Sequence, residues 1–572
     1  MKKYFIESYN FLTEREKKKL VFFFFLTCGS TFFETLSIGA LYPLFTALIS
    51  ENSNDKIPFF EKLFDLLNFS YSPNNLVLYA SVFVLFIFIT KNIFLIYFLF
   101  WYSNFYKALR LRVKSNLLKY YINETYLFQI SNNSSNLVRN ISLTADQAIT
   151  NVYNCMVLII ETAVFLGLII FLFFIQGKIL IFLILAIGIP TIIFAPIIKK
   201  TVGRWGGLIV SFQGKAMKAI LQSFSMFKEL KIFSKEEKFL NFYFIEENQV
   251  QDYLKKTTIL KGIPRFFFET LILIAIIAYI YSSYSISSSG FVSLIPELGI
   301  LTVTALRIYP SVNKIIFSIN KLSQNYKALQ IVGRDLNNMK DETADDKKIE
   351  FVEEIQFKNV SFKYPNKSES ILNDLNLSIK KGEYIGIYGS SGSGKSTFLD
   401  LLLGLFTPTD GEIIIDGKIF SINSKSWRNK IGYVPQNVNL LDDNILANIS
   451  LDNEISNLNL NYFNEIINSC VLAEFINQLP NGNKTNLGER GSRISGGEKQ
   501  RIGIARALYR NPEILILDES TNSIDLKTKK TILKNINNLR GEKTIISISH
   551  EMDVLKDCDK IFEMKNGKLV QV

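Results

Sequence analysis

The chain has 572 residues, 48% of them apolar, and a formal net charge of +12. That length accommodates several domains, and the charge raises nucleic acid as a partner. Much of the basic excess lies beside long apolar runs, the positive-inside pattern, so a membrane is the expected partner and nucleic acid is not. Cys28, Cys155, Cys470 and Cys558 are widely spaced with no CxxC pair, which argues against a disulfide framework or a zinc site.

The apolar run near Leu20 is too long for a signal peptide and lacks a small-residue cleavage site, so it is expected to be a first membrane span. A spanning helix needs about 20 mostly apolar residues. Six segments qualify: Leu20–Ile49, Leu76–Tyr102, Val152–Ile175, Ile179–Ile198, Gly262–Ser282 and Phe291–Ile319. The flank carrying Lys2, Lys3, Arg15, Lys17, Lys18 and Lys19 is basic, as are the segments 103–151 and 199–261, whereas Glu51–Asn75 is net acidic. Both termini are therefore expected in the cytosol. The two long cytosolic connections, about 50 and 60 residues, read as helical extensions below the membrane. The segment Ile57–Phe69 has apolar residues at helical spacing and reads either as an interfacial helix or as a helix packed on protein.

Ionisable residues inside spans are candidate functional sites; here they are Glu34, Lys91, Glu161, Arg265, Glu269, Glu297, Arg307 and Lys314. At about 1.5 Å per residue, Lys91 lies roughly 22 Å and Arg307 roughly 24 Å in from the outer side, and Arg265 roughly 5 Å in from the cytosol. In a core of about 30 Å all three fall at one level of the inner half. That level reads as a cavity for an anionic group, or as snorkelling and pairing, for example of Arg265 with Glu269.

Residues 1–335 are thus expected to form a six-helix α-helical membrane domain, 336–349 a polar linker, and 350–572 a soluble α/β domain. In the latter, the expected strand Tyr384–Tyr388 runs into GSSGSGKST and then a helical run, the strand–loop–helix context of a phosphate-binding loop. Gly389, Ser390, Gly392, Ser393, Gly394, Lys395, Ser396 and Thr397 would cradle phosphates, with Lys395 neutralising charge and Ser396 on Mg²⁺. The apolar run ILILDE ends in Asp518, suited to the Mg²⁺ shell, and Glu519, suited to be the general base for ATP hydrolysis.

The ordered set around these residues resembles the ATP-binding cassette (ABC) transporters, specifically a type IV exporter half-transporter. ISGGE (Ile494–Glu498) resembles the family signature, YVPQ its Q-loop, SFKY its adenine-stacking strand, STNSID its D-loop, ISH its switch and TNLGERG the x-loop of exporters. The resemblance implies that Tyr364 stacks on adenine and that Gln436 senses Mg²⁺. It further implies that His550 contacts the γ-phosphate, that Asp525 belongs to the nucleotide site and that Glu489 lies near coupling helices. It also implies that Ser495, Gly496 and Gly497 complete the ATP site of a second chain, hence a homodimer, a heterodimer with a degenerate partner being the alternative. Two departures stand out. In the signature Ile494 and Glu498 replace the usual Leu and Gln, Glu498 adding negative charge near the nucleotide, and in the D-loop Ser523-Ile524 replace Ala-Leu.

Among exporters the chain resembles the PglK-type flippases of bacterial N-glycosylation, through Ile57–Phe69, FKELKIFSKEEKF (Phe227–Phe239) and ALRIYPSVNKII (Ala305–Ile316). That resemblance implies a polyprenyl-pyrophosphate-linked oligosaccharide as cargo, Lys91, Arg265 and Arg307 as its cavity, and the inner membrane of a bacterium as the location. The other expectations are export of a peptide, drug or other lipid such as lipid A, or an ATP-gated channel. The short stretch before the first span argues against a peptidase domain there.

Overall fold

The computed structural model describes residues 2–49, 76–175, 177–284, 295–339, 349–365, 369–419, 424–451 and 459–572. The segment Ile57–Phe69 lies outside these residues, as does most of the expected linker; the side chains of Arg265 and Glu297 lie outside those described. Two compact units emerge: one of Met1–Glu124 and Ser131–Asp341, the other of Thr125–Ile130 and Glu342–Val572.

The first unit is helical. Its elements are α1 (Lys2–Asn10), α2 (Glu14–Gly39), α3 (Leu41–Ile49), α4 (Leu76–Asn123), α5 (Tyr126–Ser131, shared with the second unit), α6 (Ser134–Arg139), α7 (Ala145–Ile175), α8 (Gly177–Ser225), α9 (Phe227–Ile232), α10 (Glu236–Tyr284) and α11 (Ile295–Asn337). Helix α2 starts at a capping box: the Thr13 hydroxyl accepts from Glu16 N and the Glu16 carboxylate accepts from Thr13 N. It stops at Ala40 because Pro43 has no N–H to offer the Gly39 carbonyl. Helices α4, α8 and α10 run 48, 49 and 49 residues, roughly 70 Å each and more than twice a hydrocarbon core, so each continues well beyond the length of a span.

Among the described residues, four helical stretches are long and apolar enough to cross a membrane: Glu14–Thr46, Val77–Asn123, Ser134–Phe174 and Leu298–Asn337. The expected fourth and fifth spans lie within α8 and α10, and the side chains of 177–195 are outside those described. The core of this unit is a pair of stripes at i, i+4 spacing, Val164, Leu168 and Leu172 on α7 against Ile308, Val312 and Ile316 on α11, with Ile38 of α2. Helices α8 and α11 meet backbone to backbone: a Cβ on Gly206 would lie 2.3 Å from the Gln324 carbonyl oxygen.

The second unit holds two sheets. One is antiparallel, in the order β2-β1-β4-β5, from β1 (Glu354–Phe362), β2 (Leu372–Lys380), β4 (Asp410–Ile415) and β5 (Lys418–Ile419). The other, in the order β10-β9-β3-β8-β7-β6, has a parallel body of β3 (Tyr384–Tyr388), β6 (Ile431–Val434), β7 (Ile514–Asp518), β8 (Thr544–Ile548) and β9 (Lys560–Lys565), with β10 (Lys568–Gln571) antiparallel at its edge. Strand β8 is buried throughout and β3 and β7 nearly so, as expected for parallel strands covered on both faces. Residues 125–130 cluster with this unit: the Tyr126 ring packs 5.6 Å from Phe406, and Leu127 packs on the same core.

Candidate nucleotide site and membrane charge network

In an open parallel sheet, ligands bind beyond the carboxyl ends of the strands. Four motifs arrive there together. Gly389 follows β3, Gln436 lies two residues past β6, Glu519 follows β7 and His550 lies two residues past β8. The strand register aligns these ends, since Ile387 and Asp518 both pair with Ile548 and Val434 pairs with Leu517.

The loop after β3 has the local geometry of an anion cradle. A Cβ on Gly389 would lie 2.5 Å from the Met564 carbonyl, so the tight exit from β3 admits only glycine. Gly394 takes φ +112°, closed to other residues, at the start of α12 (Lys395–Leu402). No side chain caps that helix, so its first N–H groups are open to a ligand. The Ser393 hydroxyl is buried without a hydrogen-bond partner. Lys395 Nζ donates to the carbonyls of Gly389 and Ser390 at 2.7 and 2.9 Å, so the cation is already held over the loop. Ser396 is exposed on the first turn and Thr397 is buried. Open N–H groups, a cation held over the loop by neutral carbonyls and an unsatisfied hydroxyl fit a polyphosphate.

Opposite lie the carboxylates. Glu519 sits at φ +48°, an uncommon region for a residue with a side chain, with its N–H bonded to the Ile548 carbonyl. Its carboxylate is enclosed: Gln436 Nε2 donates to Oε2 at 2.6 Å, His550 Nδ1 lies 2.7 Å from Oε1, and Asn522 Nδ2 donates to Oε2 at 3.4 Å. Asn522 also meets His550 Nε2 at 3.4 Å. Asp518 accepts from the Tyr433 hydroxyl at 3.2 Å, and burial raises its carboxyl above the usual range. Asp400 on α12 is pushed up to about 6, by burial first and by Asp518 second. Among the described residues no group of three His, Cys, Asp or Glu is arranged to hold a metal. The donors at this site, the Ser396 hydroxyl, the Asp518 carboxylate and the Gln436 amide, are hard oxygen ligands suited to Mg²⁺ completed by phosphate and water.

Tyr364 is half-buried, edge-on to Phe362 and Phe406 at 5.1 and 5.5 Å. The signature forms the start of α13 (Gly496–Tyr509), with Ser495 and Gly496 exposed. Glu498 turns back there: its carboxylate accepts from Ser495 N at 2.7 Å while the Ser495 hydroxyl accepts from Glu498 N at 3.3 Å. The substitution that reads as a repulsive charge is half of a capping box. Asp525 is the exposed N-cap of α14 (Leu526–Asn537), accepting from Thr528 N at 3.0 Å, and this bond holds its carboxyl below the usual range. From this loop Asn522, three positions past Glu519, meets both Glu519 and His550. Gln500 Oε1 accepts from Ser523 N at 2.9 Å, fastening the same loop to α13.

In the membrane unit, Lys91 and Arg307 do meet, as their shared depth predicts, and they meet on an acid. Arg307 Nη2 donates to Glu34 Oε1 at 2.9 Å and Lys91 Nζ lies 3.9 Å from Glu34 Oε2. Lys314 and Ser311 donate to the two oxygens of Glu161 at 2.6 and 2.8 Å. Glu269, the anticipated local partner of Arg265, accepts from the Tyr309 hydroxyl at 2.8 Å.

Residues 372–522 match the ABC transporter family model. The Escherichia coli protein "Alpha-hemolysin translocation ATP-binding protein HlyB" is 40% identical over 222 residues, 38% of this chain and 31% of that protein. The Mannheimia glucosida "Leukotoxin translocation ATP-binding protein LktB" is 40% identical over 222 residues, with the same shares. This chain thus matches about a third of the length of these curated relatives. Across 97% of this chain and 94% of the other, the fold matches the "Structure of a bacterial Atm1-family ABC exporter with ATP bound", with a TM-score of 0.80 and 21% sequence identity, a likeness of fold.

Proposed function

We propose, from a chain with the fold of an ABC exporter and an ABC transporter domain at residues 372–522, that it hydrolyses ATP to drive transport across a membrane. In this reading Lys395 releases the loop carbonyls to meet the β- and γ-phosphates, and the N–H groups opening α12 bind phosphate oxygens. Ser396 and Asp518 would hold Mg²⁺, which would supply neutralisation of charge on the phosphoryl group. Glu519 accepts a proton from the attacking water, a contribution of about 10² to 10⁴ in rate. Gln436, His550 and Asn522 occupy three of its about four acceptor sites, so water gains freer access to the carboxylate as these partners turn to nucleotide. The exposed Ser495 and Gly496 at the start of α13 support a homodimer in which each signature closes the other chain's site.

For the cargo, we favour an anionic lipid of the polyprenyl-pyrophosphate oligosaccharide class, moved from the inner to the outer leaflet by alternating access in a bacterial inner membrane. The observation that supports it is that, among the described residues, Lys91, Arg307 and Lys314 gather around Glu34 and Glu161 on apolar helices, where ionisable groups mark a ligand site or pathway. Toxin export, named for the relatives, is the second reading, and it rests on identity over 38% of this chain. The test is ATP-dependent flipping of a polyprenyl-pyrophosphate oligosaccharide in proteoliposomes. Flipping that requires ATP supports the lipid; ATP turnover without flipping removes it and leaves the toxin reading.

A further inference from the structure

Four membrane helices contribute to one charge network. Glu34 comes from α2, Lys91 from α4, Glu161 from α7, and Arg307, Ser311 and Lys314 from α11. Arg307 is the bridge: it donates to Glu34 at 2.9 Å and to the Ser311 hydroxyl at 3.1 Å, and lies 3.9 Å from Glu161. Of the charged members the two carboxylates are the least exposed, with side chains 8% and 6% exposed, against 13%, 25% and 56% for Lys91, Arg307 and Lys314. Three cations against two carboxylates leave a formal excess of one positive charge.

The two acids are not held equally. Both Glu161 oxygens accept short hydrogen bonds, from Lys314 and Ser311. Glu34 has one such bond, from Arg307, and a looser approach by Lys91, whose ammonium also lies 4.3 Å from the Phe88 ring centroid. Arg307 presents its guanidinium to both acids, so it can let go of Glu34 and keep Ser311. A phosphate-bearing headgroup offers more charge and more acceptor oxygens than a carboxylate, and a guanidinium fork matches it in two-point geometry.

We propose that Glu34 is the internal competitor of an anionic headgroup for Arg307 and Lys91, and so sets how tightly this network binds a phosphate-bearing lipid. The proposal rests on the transport reading above but not on the oligosaccharide. Displaced, Glu34 remains close enough to reclaim the cations and expel the ligand; Glu161, Ser311 and Lys314 keep α7 and α11 together throughout.

The test uses the full chain in nanodiscs and equilibrium binding of three probes: undecaprenyl pyrophosphate, phosphatidylglycerol and undecaprenol. Glu34→Gln is expected to bind at least one phosphate lipid about tenfold more tightly than wild type, with undecaprenol unchanged. The double variant Glu34→Gln/Arg307→Gln is expected to lose that gain. A gain confined to phosphatidylglycerol upholds the exchange and defeats the oligosaccharide lipid as cargo. Unchanged or weaker binding of both phosphate lipids by Glu34→Gln overturns the exchange, whatever the cargo. If Glu34→Gln does not fold, Glu34→Asp, which keeps the charge and draws it back by one methylene, is expected to tighten binding about threefold; no tightening overturns the proposal.

Discussion

The nucleotide site and the membrane network are both built from charges that the fold has taken largely out of water, yet they solve the problem differently. At the sheet edge, Lys395 rests on two backbone carbonyls and Glu519 on neutral or weakly basic partners, so no opposite charge is locked to either through a strong ion pair. In the membrane, each carboxylate holds a cation by a short bond. The first arrangement keeps its charges available to phosphate and water. The second neutralises itself almost completely and leaves only its residual charge for a ligand. A site that must bind a strong external anion at every turnover keeps its cation on weak tethers; a site in lipid cannot afford that.

The largest effect that sharpens this contrast is structural. Glu161→Gln weakens the bonds from Lys314 and Ser311 to the buried Glu161 oxygens, and because Lys314 is 56% exposed and Arg307 keeps Glu34 the cost is about 2 kcal/mol. Detergent-solubilised protein is expected to unfold at distinctly lower temperature, and an unchanged midpoint would mean the network is not the tie it resembles. At the sheet edge the corresponding change, Lys395→Ala, is expected to leave folding intact and weaken ATP binding by about 10- to 100-fold, the worth of one or two charge-assisted hydrogen bonds. Equal affinity would break the contrast by showing that the loop's N–H groups suffice. A smaller effect belongs to the signature. Glu498→Ala removes one arm of the capping box and is expected to cost about 1 kcal/mol in stability of the second unit, as seen by denaturant unfolding. A further effect is a pH dependence. Asp400 has its carboxyl raised to about 6 from 3.8, so the folded chain keeps a proton that the unfolded chain gives up. Stability is therefore lost as pH rises from about 4 to 6 and stays lower above that window. Asp400→Asn is expected to raise the unfolding midpoint at pH 7.5 and to have no effect near pH 3.5; equal effects at both would place the cause elsewhere.

The contrast also explains what was legible in the sequence. Phosphate loop, carboxylate pair, Q-loop and switch are short contiguous strings, each fixed to the end of one strand, so their chemistry is written locally. The membrane spans are legible for the same reason, as unbroken apolar runs. The partner of Arg307 is not: Glu34 lies 273 residues away, and no local rule selects it over Glu161 or Glu269. Shared depth brought Lys91 and Arg307 to one level and gave no account of the acid between them. Asn522 was hidden differently, inside a loop whose pattern points to Asp525, the N-cap of α14, and not to Asn522. Glu498 was legible, since Ser495 and Glu498 have the Ser-x-x-Glu spacing of a capping box, but the charge took precedence over the spacing. Residues 125–130 join the second unit through the aromatic packing of Tyr126, which lies some 280 residues before its partner Phe406.

The measurement that bears most directly on the account is single-turnover ATP hydrolysis by purified Glu519→Gln, alongside nucleotide binding. The account predicts ATP bound with near wild-type affinity and hydrolysed about 10² to 10⁴ times more slowly. Turnover near the wild-type rate would contradict it, and would mean that the enclosed carboxylate after β7 positions its neighbours and takes no proton.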